Sequence, residues 1–237
     1  GAIRTYTHDL AKARRDRDTL RAGFAAAVAE GQVRAHFQPQ VSTDSGAVSG
    51  IEALARWHHP DLGLLAPGAF LPAIDGTDLM DLLGEAMLSQ ALAAIVVWDQ
   101  AGHHVPSVSV NFSARELGDP QLPERLAWQL DRHGLVAGRL TVEVLESVVA
   151  RDGDDMIVRN IRRIADMGCG VDMDDFGTGN ASITSIRRFA LRRLKIDRSF
   201  VRAADTDRDQ QQLVTAILSL AERLGLETLA EGVETQG

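Results

Sequence analysis

Two adjacent carboxylates, Asp174 and Asp175, follow the apolar-edged run 169–173 and precede the Gly-Thr-Gly loop 177–179. The run is typical of a buried strand, and loops that follow strands often carry the chemistry of α/β folds. Two carboxylates about 4 Å apart repel each other by roughly 4 kcal/mol at an effective dielectric constant near 20. Hard divalent cations such as Mg²⁺ choose oxygen ligands and would offset this repulsion. The pair therefore indicates a cation site, and the alternative is that either Asp caps a helix beginning near Ala181.

Further polar side chains lie on predicted strands, where the period-two pattern assigns each side chain to a face. On the strand predicted over 48–57, Glu52 and Arg56 share a face that lies opposite the apolar one. The same reasoning turns five more polar side chains toward the interior: Asn111, Glu143, Lys195, Asp197 and Glu231. The strand ends would therefore gather acidic groups from separate parts of the chain.

Each of these residues also has a purely structural interpretation. Glu52 could form a salt bridge with Arg56, and Lys195 could do the same with Asp197. Loop backbone or helix ends could satisfy three others: Asn111, Glu143 and Glu146. Taken together, however, the pattern brings one Lys, one Arg and five carboxylates to one edge of the sheet: Glu52, Glu143, Asp174, Asp175 and Glu231. So much carboxylate is unfavourable without bound cations, which predicts a divalent cation site with two ions.

The composition places limits on the class of protein. The 237 residues are 45% hydrophobic and 24% charged, enough for one large α/β domain or two small ones. The net charge of -8 argues against a nucleic acid polymer as partner. The single cysteine, Cys169, excludes an internal disulfide and favours a reducing compartment. No uninterrupted apolar run approaches about 18 residues, so we expect a cytoplasmic domain, although its parent protein could be membrane-anchored.

The elements that must position the acidic residues follow an Arg-rich segment. Residues 1–18 are predicted to be a helical lead-in or linker from an upstream domain, and residues 19–237 to be the main domain. Asp18 or Thr19 is expected to cap a helix over 20–30 that ends at Gly31.

The rest of the chain predicts a barrel. Strands over 33–41 and 48–57 are joined by a turn too short for a parallel crossover, so they should be antiparallel. Helices and strands then alternate: helices over 77–100, 122–133, 154–167, 181–189 and 210–224, and strands over 107–113, 140–146, 170–175, 191–197 and 227–233. This alternation predicts a parallel sheet and, at this length, a (β/α)₈ barrel. Only seven barrel strands are predicted, so the domain is expected to lack its last strand and helix.

The motifs in this chain resemble those of EAL domains, which hydrolyse the bacterial second messenger cyclic di-GMP. The Glu-Ala-Leu that names the family is Glu52-Ala53-Leu54, followed by Arg56. Other matching motifs occur in order at 37–39, 110–113, 143–147, 174–179, 195–200 and 230–235. Together they run from about Gln38 to Thr235, which is far more specific than a lone tripeptide.

The resemblance implies a modified TIM barrel with an antiparallel first strand, in agreement with the predicted hairpin. It implies two Mg²⁺ or Mn²⁺ ions: the first bound by Glu52, Asn111, Glu143 and Asp174, the second by Asp174, Asp175 and Glu231. Lys195 is implied to contact the attacking water, with Glu231 as general base, while Glu146 steadies the loop after Asp175. Nucleotide contacts are implied for Gln38, Leu54, Arg56, Asp197 and Glu234.

The function implied is metal-dependent opening of cyclic di-GMP to linear pGpG, and the alternative is a catalytically silent module that senses the nucleotide. An unrelated metal-dependent barrel hydrolase is a third, weaker hypothesis. Two residues depart from the family pattern: Asn180 replaces the usual Tyr, and Asp172 adds an inward carboxylate near the metals. A homodimer and an upstream regulatory or GGDEF-type domain are also implied.

Overall fold

A computed structural model describes residues 2–150, 155–179 and 182–233, with side chains from Leu10 onward. The chain divides into two compact units, residues 1–105 and 106–237. Two residues singled out in the sequence, Asn180 and Glu234, lie outside the described residues.

The first unit begins with helix α1 (Ala2–Ala29), which is followed by Gly31 at a positive φ of 69°. The predicted helix start at Asp18 or Thr19 is wrong, because α1 continues through both residues. The Thr19 hydroxyl donates a hydrogen bond to the Arg15 carbonyl at 3.0 Å, one turn earlier, as a hydroxyl does inside a helix. Ala and Arg, which are strong helix formers, make up seven of residues 2–18, which explains the continuity.

A hairpin and two helices complete the first unit. Strands β1 (Val33–Val41) and β2 (Val48–His59) are antiparallel, as predicted, and the short strand β3 (Gly63–Leu65) pairs with β2. Helices α2 (Pro67–Ile74) and α3 (Leu79–Gln100) follow. The sequence pattern does not predict β3 or α2, because segments this short carry too few periods to be recognised.

The core of the first unit is aromatic at one end and aliphatic along α3. The Phe24 ring meets those of Trp57 and Phe70 at centroid distances of 5.3 Å and 5.7 Å. Helix α3 is long and apolar enough to cross a membrane by length and composition. Its Gln90 side chain nevertheless bonds the backbone of Ala35 and Val33 on β1, and seven of its residues are buried. These contacts are those of a core helix.

The second unit contains a parallel sheet with its strands in chain order. The strands are β4 (Val108–Phe112), β5 (Leu140–Leu145), β6 (Gly170–Phe176), β7 (Arg193–Ile196) and β8 (Glu227–Ala230). The helices are α4 (Ala114–Leu117), α5 (Leu122–Arg132), α6 (Glu146–Val149), α7 (Asp155–Asp166), α8 (Ile183–Arg188), α9 (Arg198–Val201) and α10 (Arg208–Leu224), with a 3₁₀ turn at Ala137–Arg139. The predicted alternation is confirmed for these described elements.

The strands of this sheet alternate as the sequence predicts. Val110, Val142 and Val144 are buried and lie on the face opposite Asn111 and Glu143. Since the strands are parallel, their carboxyl ends meet at one edge, and the polar face delivers its side chains there.

Candidate metal centre

Lys195 lies at the centre of an acidic cluster in the second unit. It is buried on β7, and its ammonium group contacts three carboxylates. The distances from Nζ are 3.1 Å to Glu143 Oε2, 3.0 Å to Asp174 Oδ1 and 2.8 Å to Glu231 Oε1. One positive charge thus faces three negative ones, contributed by β5, β6 and the segment after β8. The alternative pairing of Lys195 with Asp197 alone is wrong.

The donor atoms in this cluster suit a hard divalent cation. Asp174, Asp175 and Glu231 each offer a carboxylate oxygen, and these oxygens lie within 4.8 Å of one another. Carboxylate oxygens are the ligands that Mg²⁺ and Mn²⁺ prefer. Lys195 offsets only part of the negative charge, so a further cation would stabilise the cluster. The residues present therefore fit the metal chemistry that the sequence predicts.

Asn111 and Glu143 are neighbours across the β4–β5 pair. Their Cα atoms are in register, and the Asn111 amide donates to Glu143 Oε2 at 3.1 Å. Glu143 is buried, and its Oε2 also faces Lys195. Asn111 therefore contacts Glu143 directly, and Lys195 joins Glu143 to Asp174, which brings together three of the four residues implied for the first metal.

Glu146 fixes the loop that follows Asp175. It is buried at the start of α6, and its Oε2 accepts backbone hydrogen bonds from Gly177 at 2.7 Å and Gly179 at 2.9 Å. A Cβ at position 179 would lie 3.0 Å from the Glu146 carboxylate, so a larger residue would have to displace that carboxylate by a few tenths of an ångström. This geometry is what the predicted role in steadying the loop requires.

The backbone turns sharply at the second carboxylate of the pair. Asp175 has a φ of 57°, in the left-handed region that Asp and Asn tolerate better than most residues. The Asp174 side chain accepts a hydrogen bond from the Asp175 backbone N–H at 3.0 Å. Helix α8 is capped instead by Ser182, whose hydroxyl accepts from the Ser185 N–H. The alternative that Asp174 or Asp175 caps this helix is therefore wrong.

Asp172, expected as an extra inward carboxylate near the ions, forms a buried ion pair with arginines, and its nearness to the ions stays a prediction. It is fully buried, opposite Arg193 on β7, and that guanidinium Nε donates to its Oδ2 at 2.8 Å. Arg192 lies 3.5 Å from its other oxygen. Burial raises the pKa of Asp172, and the two arginines oppose that shift. The sequence alone does not pair Asp172 with Arg192 and Arg193, because pairing across strands depends on register. The only signal in the sequence is that the two arginines lie just before Lys195.

Asp197 has a local partner. It lies just after β7, and its Oδ1 accepts the Ser199 backbone N–H at 2.9 Å as the cap of α9. Hydrogen bonding from Ser199 lowers the pKa of Asp197 below its usual value. Its predicted contact with the nucleotide stays a prediction.

The hairpin of the first unit presents the other residues implied for substrate and metal binding. Gln38 lies opposite Glu52, and alternation places Leu54 and Arg56 on the same face. The other face carries Ala53 and Trp57, both buried. The predicted faces of β2 are thus confirmed, whereas the roles of these residues stay predictions.

The comparisons with known proteins identify the family. The chain belongs to the EAL domain family, which it matches over residues 21–237. It is 38% identical over 205 residues to "Bifunctional diguanylate cyclase/cyclic di-GMP phosphodiesterase MucR" of Pseudomonas aeruginosa, covering 86% of this chain and 30% of that relative. It is 34% identical over 209 residues to "Cyclic di-GMP phosphodiesterase NbdA" of the same organism, covering 88% and 27%. The chain therefore spans less than a third of the length of these curated relatives.

Solved structures identify the fold. The structure described as "PaMucR Phosphodiesterase, c-di-GMP complex" matches with a TM-score of 0.86 at 37% identity, over 92% of this chain and 88% of that one. The fold is therefore that of EAL domains, a modified TIM barrel, as predicted. The antiparallel pairing of β1 with β2 is the expected modification.

Proposed function

We propose that this chain hydrolyses one phosphodiester bond of cyclic di-GMP, giving linear pGpG, with two Mg²⁺ or Mn²⁺ ions as cofactors. The observation that supports it most directly is the set of three carboxylates around buried Lys195, next to Asp175. When bound, such ions supply a water of lowered pKa and positive charge for the phosphate. The substrate follows from the family, because relatives are named as cyclic di-GMP phosphodiesterases.

The acidic residues divide between two ions in this proposal. Glu52, Asn111, Glu143 and Asp174 hold the first, and Asp174, Asp175 and Glu231 hold the second. Asp174 belongs to both sets, and its contact with Lys195 fixes the position of its carboxylate. Lys195 also fixes Glu143, so one ammonium group orients a ligand of each ion.

Glu231 is the proposed general base. Its side chain is 26% exposed, so water can reach it, and its Oε1 receives a hydrogen bond from Lys195 at 2.8 Å. The Lys195 ammonium group orients the attacking water beside the carboxylate, which accepts its proton. Glu146 holds the loop after Asp175 through the two glycine N–H groups, so the Asp175 ligand keeps its position.

Residues of the hairpin are assigned to the nucleotide. Gln38, Leu54 and Arg56 share one face of β1 and β2, and a guanidinium suits a phosphate oxygen. Asp197 and Glu234 are assigned to the substrate in the same proposal, and Glu234 lies outside the described residues.

The test is direct measurement of turnover. Purified protein is incubated with cyclic di-GMP and Mg²⁺ or Mn²⁺, and pGpG is separated by chromatography. We expect product with the parent chain and about 10²–10⁴-fold slower turnover with Glu231→Gln. Glu52→Gln should likewise turn over more slowly than the parent, whereas Glu85→Gln, an exposed position on α3, should match the parent.

The alternative function, a silent cyclic di-GMP sensor, predicts a different result. Calorimetry would then give the same nucleotide affinity with and without Mg²⁺, and the same affinity for Glu52→Ala, with no pGpG from any form. That outcome in a folded chain would reject hydrolysis and favour the sensor.

The proposal extends to the setting of the domain. We place it in the cytoplasm, as a homodimer, downstream of a regulatory or GGDEF-type domain in a longer protein. The support is that relatives are more than three times as long as their match, and one is named as bifunctional. Light scattering of the purified domain tests the dimer, and a monomer at high concentration would contradict it.

A further inference from the structure

We propose that His36 and His58 form a zinc-binding pair on the hairpin of the first unit. Their Nε2 atoms lie 3.2 Å apart, and both side chains are exposed. Imidazole nitrogens are ligands that suit zinc and its first-row neighbours, and not Mg²⁺. The site is therefore chemically distinct from the carboxylate cluster, and the inference does not rest on the proposed function.

The separation of the two nitrogens matches tetrahedral chelation. With Zn–N bonds of about 2.05 Å, tetrahedral coordination places two ligand nitrogens about 3.3 Å apart, and square-planar coordination about 2.9 Å apart. The observed 3.2 Å is closer to the tetrahedral value. The separation is therefore compatible with one bound Zn²⁺, and solvent would complete its coordination sphere.

The hairpin holds the pair in place before any metal binds. His36 lies on β1 opposite Leu54, and the His58 backbone N–H donates to the Gln32 carbonyl at 2.8 Å, so each backbone position is fixed by strand pairing. The two side chains project from the same face of antiparallel strands, with ring centroids 5.4 Å apart. Little conformational entropy is therefore lost when both rings bind one ion.

The contact that zinc must replace is weak. The two Nε2 atoms share one N···N contact at 3.2 Å, and an exposed hydrogen bond contributes little because water competes for both groups. Within the described part of the chain, neither Nδ1 takes part in a hydrogen bond, so both rings can adopt the tautomer that frees Nε2. Arg34 and Arg56 lie between the histidines on this face, but their donors bind the carbonyls of Gly31 and Ala55. Their charge lowers zinc affinity without blocking the site.

Zinc titration by calorimetry tests the pair. The experiment uses the full chain carrying Asp174→Asn, which removes a carboxylate shared by the acidic cluster, in saturating Mg²⁺. We expect one zinc site whose affinity falls roughly tenfold or more in His36→Gln and in His58→Gln, because losing even an outer partner of a ligand costs that much. His103→Gln, at another exposed histidine of this unit, is the matched control and should bind as its parent does.

A spectroscopic measurement makes the result independent of protein stability. Zinc should shift the Nε2 resonances of two histidines in ¹⁵N spectra, and each shift should vanish with its own substitution. Unchanged zinc affinity in both histidine variants, or resonances that zinc does not move, would overturn the proposal. Because the readout is zinc binding and not pGpG, its failure is distinguishable from failure of the proposed function.

Discussion

The ammonium group of Lys195 lies 2.8 Å from the Glu231 carboxylate, within the same contact sphere as Glu143 and Asp174. The positive charge of this buried lysine repels a cation bound nearby. The same ammonium group also orients the carboxylates that would bind the cation. The two effects act in opposite directions on metal affinity and turnover, so a single substitution can separate them.

Lys195→Met should bind Mg²⁺ more tightly than the parent while hydrolysing cyclic di-GMP about 10²–10⁴-fold more slowly. Removing the ammonium group raises the negative charge that attracts the ion, and it also removes the group that orients water and base. Metal titration by calorimetry and a pGpG assay measure the two effects. The chain has one other lysine, the exposed Lys12, and Lys12→Met is the control. Weaker Mg²⁺ binding by Lys195→Met would contradict the charge argument.

Removal of metal should lower the stability of Lys195→Met, because its carboxylates then repel one another. Without divalent ions, Lys195→Met leaves buried carboxylates uncompensated, and the loss of one member of a buried ion cluster costs about 3–5 kcal/mol. We expect a lower melting temperature in EDTA that Mg²⁺ largely restores. If Lys195→Met and the parent had the same melting temperature in EDTA, repulsion among these carboxylates would not destabilise the fold.

Glu146→Ala should loosen the loop after Asp175, because the N–H groups of Gly177 and Gly179 lose their acceptor. We expect faster hydrogen exchange at both glycines and about 10–100-fold lower activity, as for other groups that position metal ligands. Glu146→Gln keeps an oxygen acceptor and should recover part of both losses. Full activity in Glu146→Ala would remove the proposed positioning role.

Asp175→Asn should fold normally and lose metal binding, whereas Asp175→Val should also lose stability. The φ of 57° is tolerated by Asn and strained for a β-branched residue. Chemical denaturation and Mg²⁺ titration separate the two effects. If Asp175→Asn kept the Mg²⁺ affinity of the parent, this carboxylate would not be a ligand.

The sequence predicts which face of the sheet each polar side chain lies on. It predicts less well which side chains on that face contact one another. Period-two alternation placed Glu143 and Lys195 correctly, because a strand buried on one side restricts each side chain to one of two directions. It also placed Glu52 and Arg56 on one face of β2. The antiparallel hairpin followed from a turn too short to cross over.

Partners depend on strand register, which a local pattern does not contain. Asp172 faced inward as predicted, but its buried ion pair with Arg193 depends on strand register and was not predicted. Asp197 shared a predicted face with Lys195, yet β7 ended at Ile196 and freed it to cap α9. Helix α1 continues through the expected helix start at Asp18 or Thr19, because helix-forming residues precede the position where a cap was expected.

The ion pair of Asp172 gives a prediction for the pH dependence of stability. Burial, the largest influence, raises the pKa of this carboxyl above its ordinary value of 3.8. A carboxyl that binds its proton more tightly in the folded state contributes stability that is fully present below pH 3.8 and is lost as pH rises through the raised pKa. Relative to Asp172→Asn, which does not titrate, the parent should therefore lose stability from about pH 4 upward.

Urea unfolding of both chains from about pH 4 to about pH 8 measures this difference, with the exposed Asp131→Asn as control. The two free energies of unfolding are compared as pH rises through the raised pKa of Asp172. The stability of the parent relative to Asp172→Asn should fall over this range, because ionising the buried carboxyl carries a desolvation cost that Asn does not have. If the parent instead gained stability over Asp172→Asn with rising pH, attraction to Arg192 and Arg193 would outweigh the desolvation of the carboxylate. The sign of the change with pH thus decides whether desolvation or ion pairing dominates at this position.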